Sequence, residues 1–408
     1  MKFILECVDC GRQYDTMMYL CPQCAQNNDE SHPPRGVLKT LYDYQKIKSK
    51  SFRRLQSESF LDLLPLSSLK SLSYLRIGNT PLYKNKITEK DIASHELYLK
   101  DDAQNPTFSY KDRASGLVCA YALEQGINTI IAASTGNAGS SLAGIGASQG
   151  QRIIIIVPAS APAAKLLQIA MYGAIIVPVK GSYDEAFDLS MQATEKLGYY
   201  NRNTAYNPLT IEGKKTASFE IYAQLGEQVP ERIFVPVGDG CIIAGVYKGW
   251  EDLLQLGMIS RIPQIIAVQA AGSSSLVKNL DRAIFLAEEP DTIADSISVK
   301  IPRNFYMAKK YLKTYQGDAI LVSDREIQQA AGQLAQNYGI FSEPAAASAF
   351  AGYLKYRATR EIGENSRNIV MLTGSGLKDI AAFRDTVKIP QAIKPDLTEL
   401  EAMMRGDI

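Results

Sequence analysis

Thr129-Ile-Ile-Ala-Ala-Ser-Thr-Gly-Asn-Ala-Gly-Ser-Ser-Leu142 opens as a short apolar run without polar alternation and passes directly into small hydroxyl residues and glycines. Such a run suits a strand covered on both faces, as in a parallel sheet, and the residues after it open a helix. The stretch therefore reads as strand, loop, helix. The same punctuation recurs at Arg152–Pro158, Ala174–Lys180, Arg232–Gly238, Gln264–Gln269 and Asn368–Thr373. Helical segments of about 10 to 18 residues, such as Glu212–Leu225 and Pro344–Arg357, fill the gaps at lengths usual for crossovers. The expected fold class is α/β with doubly wound parallel sheets.

A chain of 408 residues exceeds one ordinary core and predicts two packed units or more. Apolar residues form 46% and charged residues 21%, which argues against disorder and against a disulfide-built scaffold. Lys plus Arg total 44 against 43 for Asp plus Glu, so bulk charge gives no reason to expect nucleic acid or an anionic membrane as partner. No apolar run reaches the roughly 18 residues of a membrane span. Phe3-Ile4-Leu5 is too short for a signal-peptide core, and a cytoplasmic location is expected.

Four of the six cysteines lie in the first 24 residues, as Cys7-Val-Asp-Cys10 and Cys21-Pro-Gln-Cys24. Two residues between sulfurs let a pair converge on one tetrahedral ion, and two such turns complete four ligands. Gly11 permits the tight turn after the first pair. Four thiolates leave no open position, so the predicted zinc is structural. The alternatives are a pair of free or redox-active dithiols, or a knuckle that has lost its metal. Cys119 and Cys241 have no partner cysteine nearby and read as inert thiols.

Lys100-Asp-Asp-Ala-Gln-Asn-Pro-Thr-Phe-Ser-Tyr-Lys-Asp-Arg-Ala-Ser-Gly116 places Lys111 at the start of a helix that continues through Ala114–Ala122. The helix macrodipole and burial both disfavour a protonated amine there, and a neutral amine is what imine formation with an aldehyde requires. A solvated helix-start lysine is the commoner case. The loop Ser134–Asn137 changes the weighting, because backbone N–H groups at a helix start can hold a carboxylate. Val235-Pro-Val-Gly-Asp-Gly-Cys-Ile-Ile-Ala-Gly-Val246 repeats the arrangement in a form suited to a phosphate. Val370-Met-Leu-Thr-Gly-Ser-Gly-Leu-Lys-Asp-Ile380 repeats it again. One such loop often only makes a turn; three with a lysine loop point to a site.

With these motifs the chain resembles the threonine synthase-like group of fold type II pyridoxal 5′-phosphate (PLP) enzymes, over roughly residues 75 to 385. Asn105-Pro-Thr-Phe-Ser-Tyr-Lys-Asp-Arg113 resembles the cofactor-lysine motif, with Tyr110 where phenylalanine is usual. The resemblance makes Lys111 the lysine that bonds the cofactor aldehyde and the base for the Cα proton. It assigns the substrate carboxylate to Ser134, Thr135, Gly136 and Asn137, with Asn137 also meeting the cofactor ring oxygen. It assigns the cofactor phosphate to Gly238, Asp239, Gly240, Cys241 and Ile242, and the pyridine nitrogen to the Thr373 hydroxyl. A neutral hydroxyl cannot keep that nitrogen protonated as a carboxylate would, which favours elimination and replacement over transamination.

The resemblance further implies PLP fold type II, with 1–34 as the zinc knuckle, 35–108 plus 181–408 as a large PLP-binding domain and 109–180 as a small α/β domain. A homodimer acting on a small amino-acid substrate is expected. The stretch 36–94 reads as irregular lead-in helices and loops. Neither His32 nor His95 lies in a motif, and neither is given a catalytic role.

One region departs from the family pattern. Where Ser-x-Asn-Pro-x-Arg is expected to hold the substrate phosphate, this chain has Ala205-Tyr-Asn-Pro-Leu-Thr210. A hydroxyl and a guanidinium are missing, leaving Asn207 and Thr210 as candidate substrate contacts. Ala138 stands where threonine is usual, and Asp239 where asparagine is frequent. Lys214 and Lys215 follow on the same segment as possible replacement charges. The leading expectation is conversion of O-phosphohomoserine and water to threonine and phosphate. Serine or threonine deamination, diaminopropionate elimination, O-phosphoserine chemistry and an inactive zinc-ribbon module are the alternatives.

Overall fold

The computed structural model describes residues 2–85, 95–384 and 386–405. Within the expected lead-in stretch, residues 86–94 lie outside the described ones. Among the described residues no helix is long and apolar enough to cross a membrane.

Among the described residues, thirteen strands form three sheets. The N-terminal sheet is antiparallel, with β1 (Ile4–Cys7) between β2 (Gln13–Tyr14) and β3 (Leu38–Leu41). The largest sheet contains β4 (Leu82–Lys84), β5 (Glu96–Asp101), β10 (Arg232–Pro236), β11 (Gln264–Ala270), β12 (Asp318–Val322) and β13 (Arg367–Leu372), in the order β12-β11-β10-β13-β5-β4. Only β4 runs antiparallel in it. The third sheet is wholly parallel, with β6 (Thr129–Ala133), β7 (Arg152–Pro158), β8 (Ile175–Val179) and β9 (Tyr200–Asn201) ordered β8-β7-β6-β9.

The helices that carry the argument are α1 (Lys111–Glu124), α2 (Asn137–Ser148), α3 (Ala163–Met171), α4 (Tyr183–Leu197), α5 (Leu209–Lys214), α6 (Thr216–Gln224), α7 (Cys241–Gln255), α8 (Phe305–Thr314), α9 (Asp324–Tyr338) and α10 (Pro344–Thr359).

The unalternated apolar strands are covered on both faces, as their composition requires. On β10, Ile233 and Val235 share a core with Trp250 of α7, while Phe234 between them faces the rings of Tyr353 and Tyr356 on α10, at 5.6 and 5.5 Å between centroids. Edge-to-face pairs of this kind contribute about 0.5–1.5 kcal/mol beyond area burial. Strand β8 is the exception. It lies at the edge with much of its surface exposed and carries Pro178, which an edge strand tolerates because one row of N–H groups is unpaired anyway.

The small parallel sheet extends past residue 180 to Asn201, because α4 packs on β6 and β7 and β9 completes that sheet. The cysteine segment extends past residue 34, because β3 pairs with β1 from Ile4↔Leu41 to Cys7↔Leu38. The single helix expected over Glu212–Leu225 is two, α5 and α6. Their junction lies where the Thr216 hydroxyl donates to the Gly213 carbonyl at 2.8 Å, competing with the backbone ladder.

Candidate active site

Every loop singled out by its glycines sits at the carboxyl end of a parallel strand. Strand β6 runs into Ser134–Gly136 and α2; β10 runs into Val237–Gly240 and α7; β13 runs into Thr373–Ser375; β5 leads to the lysine loop and α1. In open parallel sheets ligands bind at this end. Three of these loops meet around a cavity of about 400 Å³ whose wall includes Lys111, the Ser134–Ala138 loop and the Gly238–Ile243 turn. Segments separated by more than 120 residues thus meet at one place.

Lys111 is the first residue of α1, and its side chain faces the cavity. Burial pushes its ammonium pKa down and Arg202 adds to this, whereas Cys241, Glu343 and Asp239 oppose it. The start of α1 is fixed by a buried ion network. Arg113 donates to Asp102 on β5's exit through Nε (2.6 Å) and Nη2 (2.9 Å), and to Glu220 on α6 through Nη1 (2.6 Å) and Nη2 (2.8 Å). Lys100 on β5 donates to Glu220 at 2.7 Å. Thr107 of the lysine loop donates its N–H to Asp112 at 2.7 Å.

The Gly238–Ile242 turn ends at the N-terminus of α7, where no side chain caps the first N–H groups. Gly240 has φ +83°, a conformation that L side chains rarely adopt, and a Cβ there would lie 3.0 Å from Ala308 Cβ. Asp239 also lines the cavity; its carboxylate accepts the Arg303 N–H at 3.1 Å. Arg303 and Asp184, which form an ion pair, line the same cavity.

Asn137, the first residue of α2, donates to both oxygens of the buried Glu343 carboxylate at 2.9 and 3.1 Å and to Ser296 Oγ at 3.2 Å. Burial pushes the Glu343 pKa up, against the Asn137 hydrogen bond and the charges of Lys111 and Lys378. Lys378 ties the Thr-Gly-Ser-Gly loop to the other sheet's helices, donating to Ser140 Oγ (2.8 Å) and Gln168 Oε1 (2.6 Å). Thr373 is buried beside the lysine loop, its carbonyl accepting the Tyr110 N–H at 2.9 Å, and it is not part of the cavity wall.

Asn207 and Thr210, expected as substrate contacts, are buried and do not line the cavity. Asn207 donates to Asn201 O at 2.7 Å and accepts the Leu209 N–H at 2.9 Å, which starts α5; Thr210 donates to Asn207 O at 2.8 Å. Both side chains serve the backbone. Ser296 and Arg202 line the cavity, Glu343 accepts from Asn137 and Lys378 donates to Ser140 of α2, and the sequence reading picked out none of the four. Glu343 had one usable signal, its place immediately before a proline at a helix start.

At the N-terminus the four cysteine sulfurs lie within 4.8 Å of one another, with Cys10 and Cys21 Sγ 3.9 Å apart. A tetrahedral zinc with bonds of about 2.3 Å sets sulfurs about 3.8 Å apart, so the donor set fits.

Comparison with known proteins agrees with this geometry. The chain is 35% identical to a threonine synthase of Methanocaldococcus jannaschii, over 98% of this chain and 99% of the relative. It is 35% identical to a threonine synthase of Halalkalibacterium halodurans, over 83% and 94%. Among solved structures it shares its fold with a processed threonine deaminase from Solanum lycopersicum (TM-score 0.65, 22% identity, 81% of this chain and 92% of that one). Maize serine racemase is similar at a TM-score of 0.63 and 21% identity, over 82% and 93%. The profile of the pyridoxal-phosphate dependent enzymes matches residues 74–374, and the chain belongs to that family.

Proposed function

We propose that this PLP-dependent enzyme is a threonine synthase, converting O-phosphohomoserine and water to threonine and phosphate. The observation that carries the reading is the convergence of Lys111 with two anion-binding helix starts in one cavity, in a chain similar over nearly its whole length to threonine synthases. The residues fit the cofactor: an amine of lowered pKa, an uncapped helix start for its phosphate, and Asn137 for its ring oxygen. When bound, PLP supplies the electron sink that stabilises negative charge at the substrate Cα.

In this reading Lys111 anchors the cofactor and then takes and returns the proton at Cα. The Ser134–Asn137 loop holds the substrate carboxylate by backbone N–H groups at the start of α2. Gly238–Ile242 hold the cofactor phosphate, and the Thr373 hydroxyl, just behind the wall, is assigned to the pyridine nitrogen. Glu343 keeps Asn137 oriented. The two-sheet body is read as the PLP-binding and small α/β domains. The four cysteines hold one structural zinc. The protein works in the cytoplasm as a homodimer, a state that light scattering of the purified holoenzyme tests.

The activity test is a substrate panel. O-phosphohomoserine, serine, threonine, O-phosphoserine and diaminopropionate are compared for release of phosphate, ammonia and keto acid. Threonine and phosphate formed in equal amounts from O-phosphohomoserine, with a kcat/KM well above every other substrate, is the expected result. Preferred ammonia release from an unphosphorylated amino acid would replace the reading with a deaminase.

A further inference from the structure

Arg202 is a buried guanidinium that makes no ion pair, its buried acidic neighbour Asp112 acting on it only at a distance. It is 1% exposed and lines the cavity. Its side chain donates only to Ser115 Oγ at 3.2 Å and, at the limit of a hydrogen bond, to Lys111 O at 3.5 Å. No ion pair engages it among the described residues. Other buried cations of this molecule are neutralised: Arg113 by Asp102 and Glu220, Lys215 by Glu212 and Asp252, Lys248 by Asp252. The lysine pair expected to supply replacement charge is thereby divided, since Lys215 is already paired.

Lys214 is not paired with a carboxylate. It is fully buried and reaches Thr204 Oγ1 at 3.4 Å and Thr210 O at 3.2 Å, and Thr204 lines the cavity. An unpaired buried charge costs several kcal/mol. A guanidinium at the cavity wall with no ion pair, and behind it the Lys214 amine, whose pKa burial brings down to about 7 and which an arriving anion would charge, point to an anion that comes from outside. The other two anion positions are served by neutral backbone groups, at the starts of α2 and α7. Arg202 leaves the small sheet directly after β9, and Ala205 beyond it is held at φ +62°, a strained turn that sets Arg202–Thr204 against the cavity.

We propose that Arg202, supported by Lys214 behind Thr204, recognises a dianionic phosphate ester on the substrate side chain, as the replacement for the guanidinium absent at Thr210. A guanidinium suits this ligand because its fork matches two phosphate oxygens at once. The proposal rests on the phosphorylated-substrate reading above and names the residue that enforces it.

The test uses the holoenzyme and its Arg202→Leu and Arg202→Lys variants, with cofactor content and visible absorbance recorded for each. KM and kcat are measured for O-phosphohomoserine and for unphosphorylated threonine and serine. The expected result is a KM for O-phosphohomoserine raised roughly a hundredfold in Arg202→Leu and partly recovered in Arg202→Lys. Cofactor content stays equal, and values for threonine and serine move less than about threefold. A parallel rise for all three substrates would overturn the proposal, as would loss of cofactor with an unchanged KM, which would assign Arg202 to the cofactor's own phosphate. If the wild type turns over no phosphorylated substrate, the threonine synthase reading fails by itself. Arg202 is then tested by titrating holoenzyme with O-phosphohomoserine and following visible absorbance. Binding lost in Arg202→Leu upholds the anion site, and no binding to the wild type removes it.

Discussion

Lys111 can work only if its amine is neutral at the moment it meets an aldehyde, and burial supplies most of the bias toward that state. Lys111→Ala is expected to lose the visible absorbance of the holoenzyme together with all turnover. Its circular dichroism should stay native, because Arg113 and Asp102 still fix the helix start. Turnover surviving in that variant would remove Lys111 from the chemistry. The lysine was legible in the sequence because its motif is contiguous: loop, lysine and helix follow one another. Arg202 and Glu343 were not legible, because sequence distance hides them. Arg202 is 91 residues from the Lys111 carbonyl it approaches, and Glu343 is 206 residues from Asn137. Asn207 and Thr210 show the limit of reading residue types alone. Their residue types suit substrate contact, but the start of α5 uses both.

Helices α1 and α5 meet backbone to backbone. A Cβ on Gly213 would lie 2.1 Å from the Arg113 carbonyl oxygen, and that atom cannot swing away as a side chain can. Gly213→Ala should therefore destabilise the fold by about 1–3 kcal/mol, read as a lower urea midpoint at unchanged m-value, and should weaken cofactor retention by shifting α1. Glu220 on α6 gives this region a pH dependence. Burial would raise its pKa, but Arg113 and Lys100 outweigh burial and bring it to about 2 from a reference of 4.5. A depressed folded-state pKa contributes stability above about pH 4.5 that is lost as pH falls toward 2. The amount is on the order of 3 kcal/mol. Denaturation series at pH 5.5 and 3 should show a steep acid loss in the wild type and a shallower one in Glu220→Gln; equal slopes would refute the assignment. Strands were readable at this scale because burial on both faces imposes an apolar run. The break between α5 and α6 was not, since it is a single residue, Lys215, within an otherwise helical pattern.

The N-terminal segment around its small sheet touches both larger sheets' surroundings. Tyr19 accepts the Asn201 N–H at 2.9 Å and stacks on Tyr206 at 4.5 Å, while Lys310 of α8 donates to Val8 O at 2.9 Å. Metal removal should accordingly loosen the whole molecule. Metal analysis of untagged protein should find one zinc per chain, and Cys21→Ser should lower Tm by several degrees while PLP binding largely persists. Zinc-free protein purified without chelator, with an unchanged Tm in the variant, would contradict this. The order of the six-stranded sheet has a consequence for manufacture in the cell. Strand β13 pairs with β5 across 271 residues, so at roughly 5–20 residues per second the ribosome delivers the partner of β5 about 15 to 50 s late. The small sheet, contiguous from Thr129 to Asn201, is free to close meanwhile, leaving Leu97 and Leu99 uncovered beside a finished neighbour. Slower synthesis at lower temperature, or a chaperone that shields this orphaned edge, should raise soluble yield more than added cofactor does, because β10, which carries the Gly238–Ile242 turn, and β5 are joined only when the last strand arrives between them.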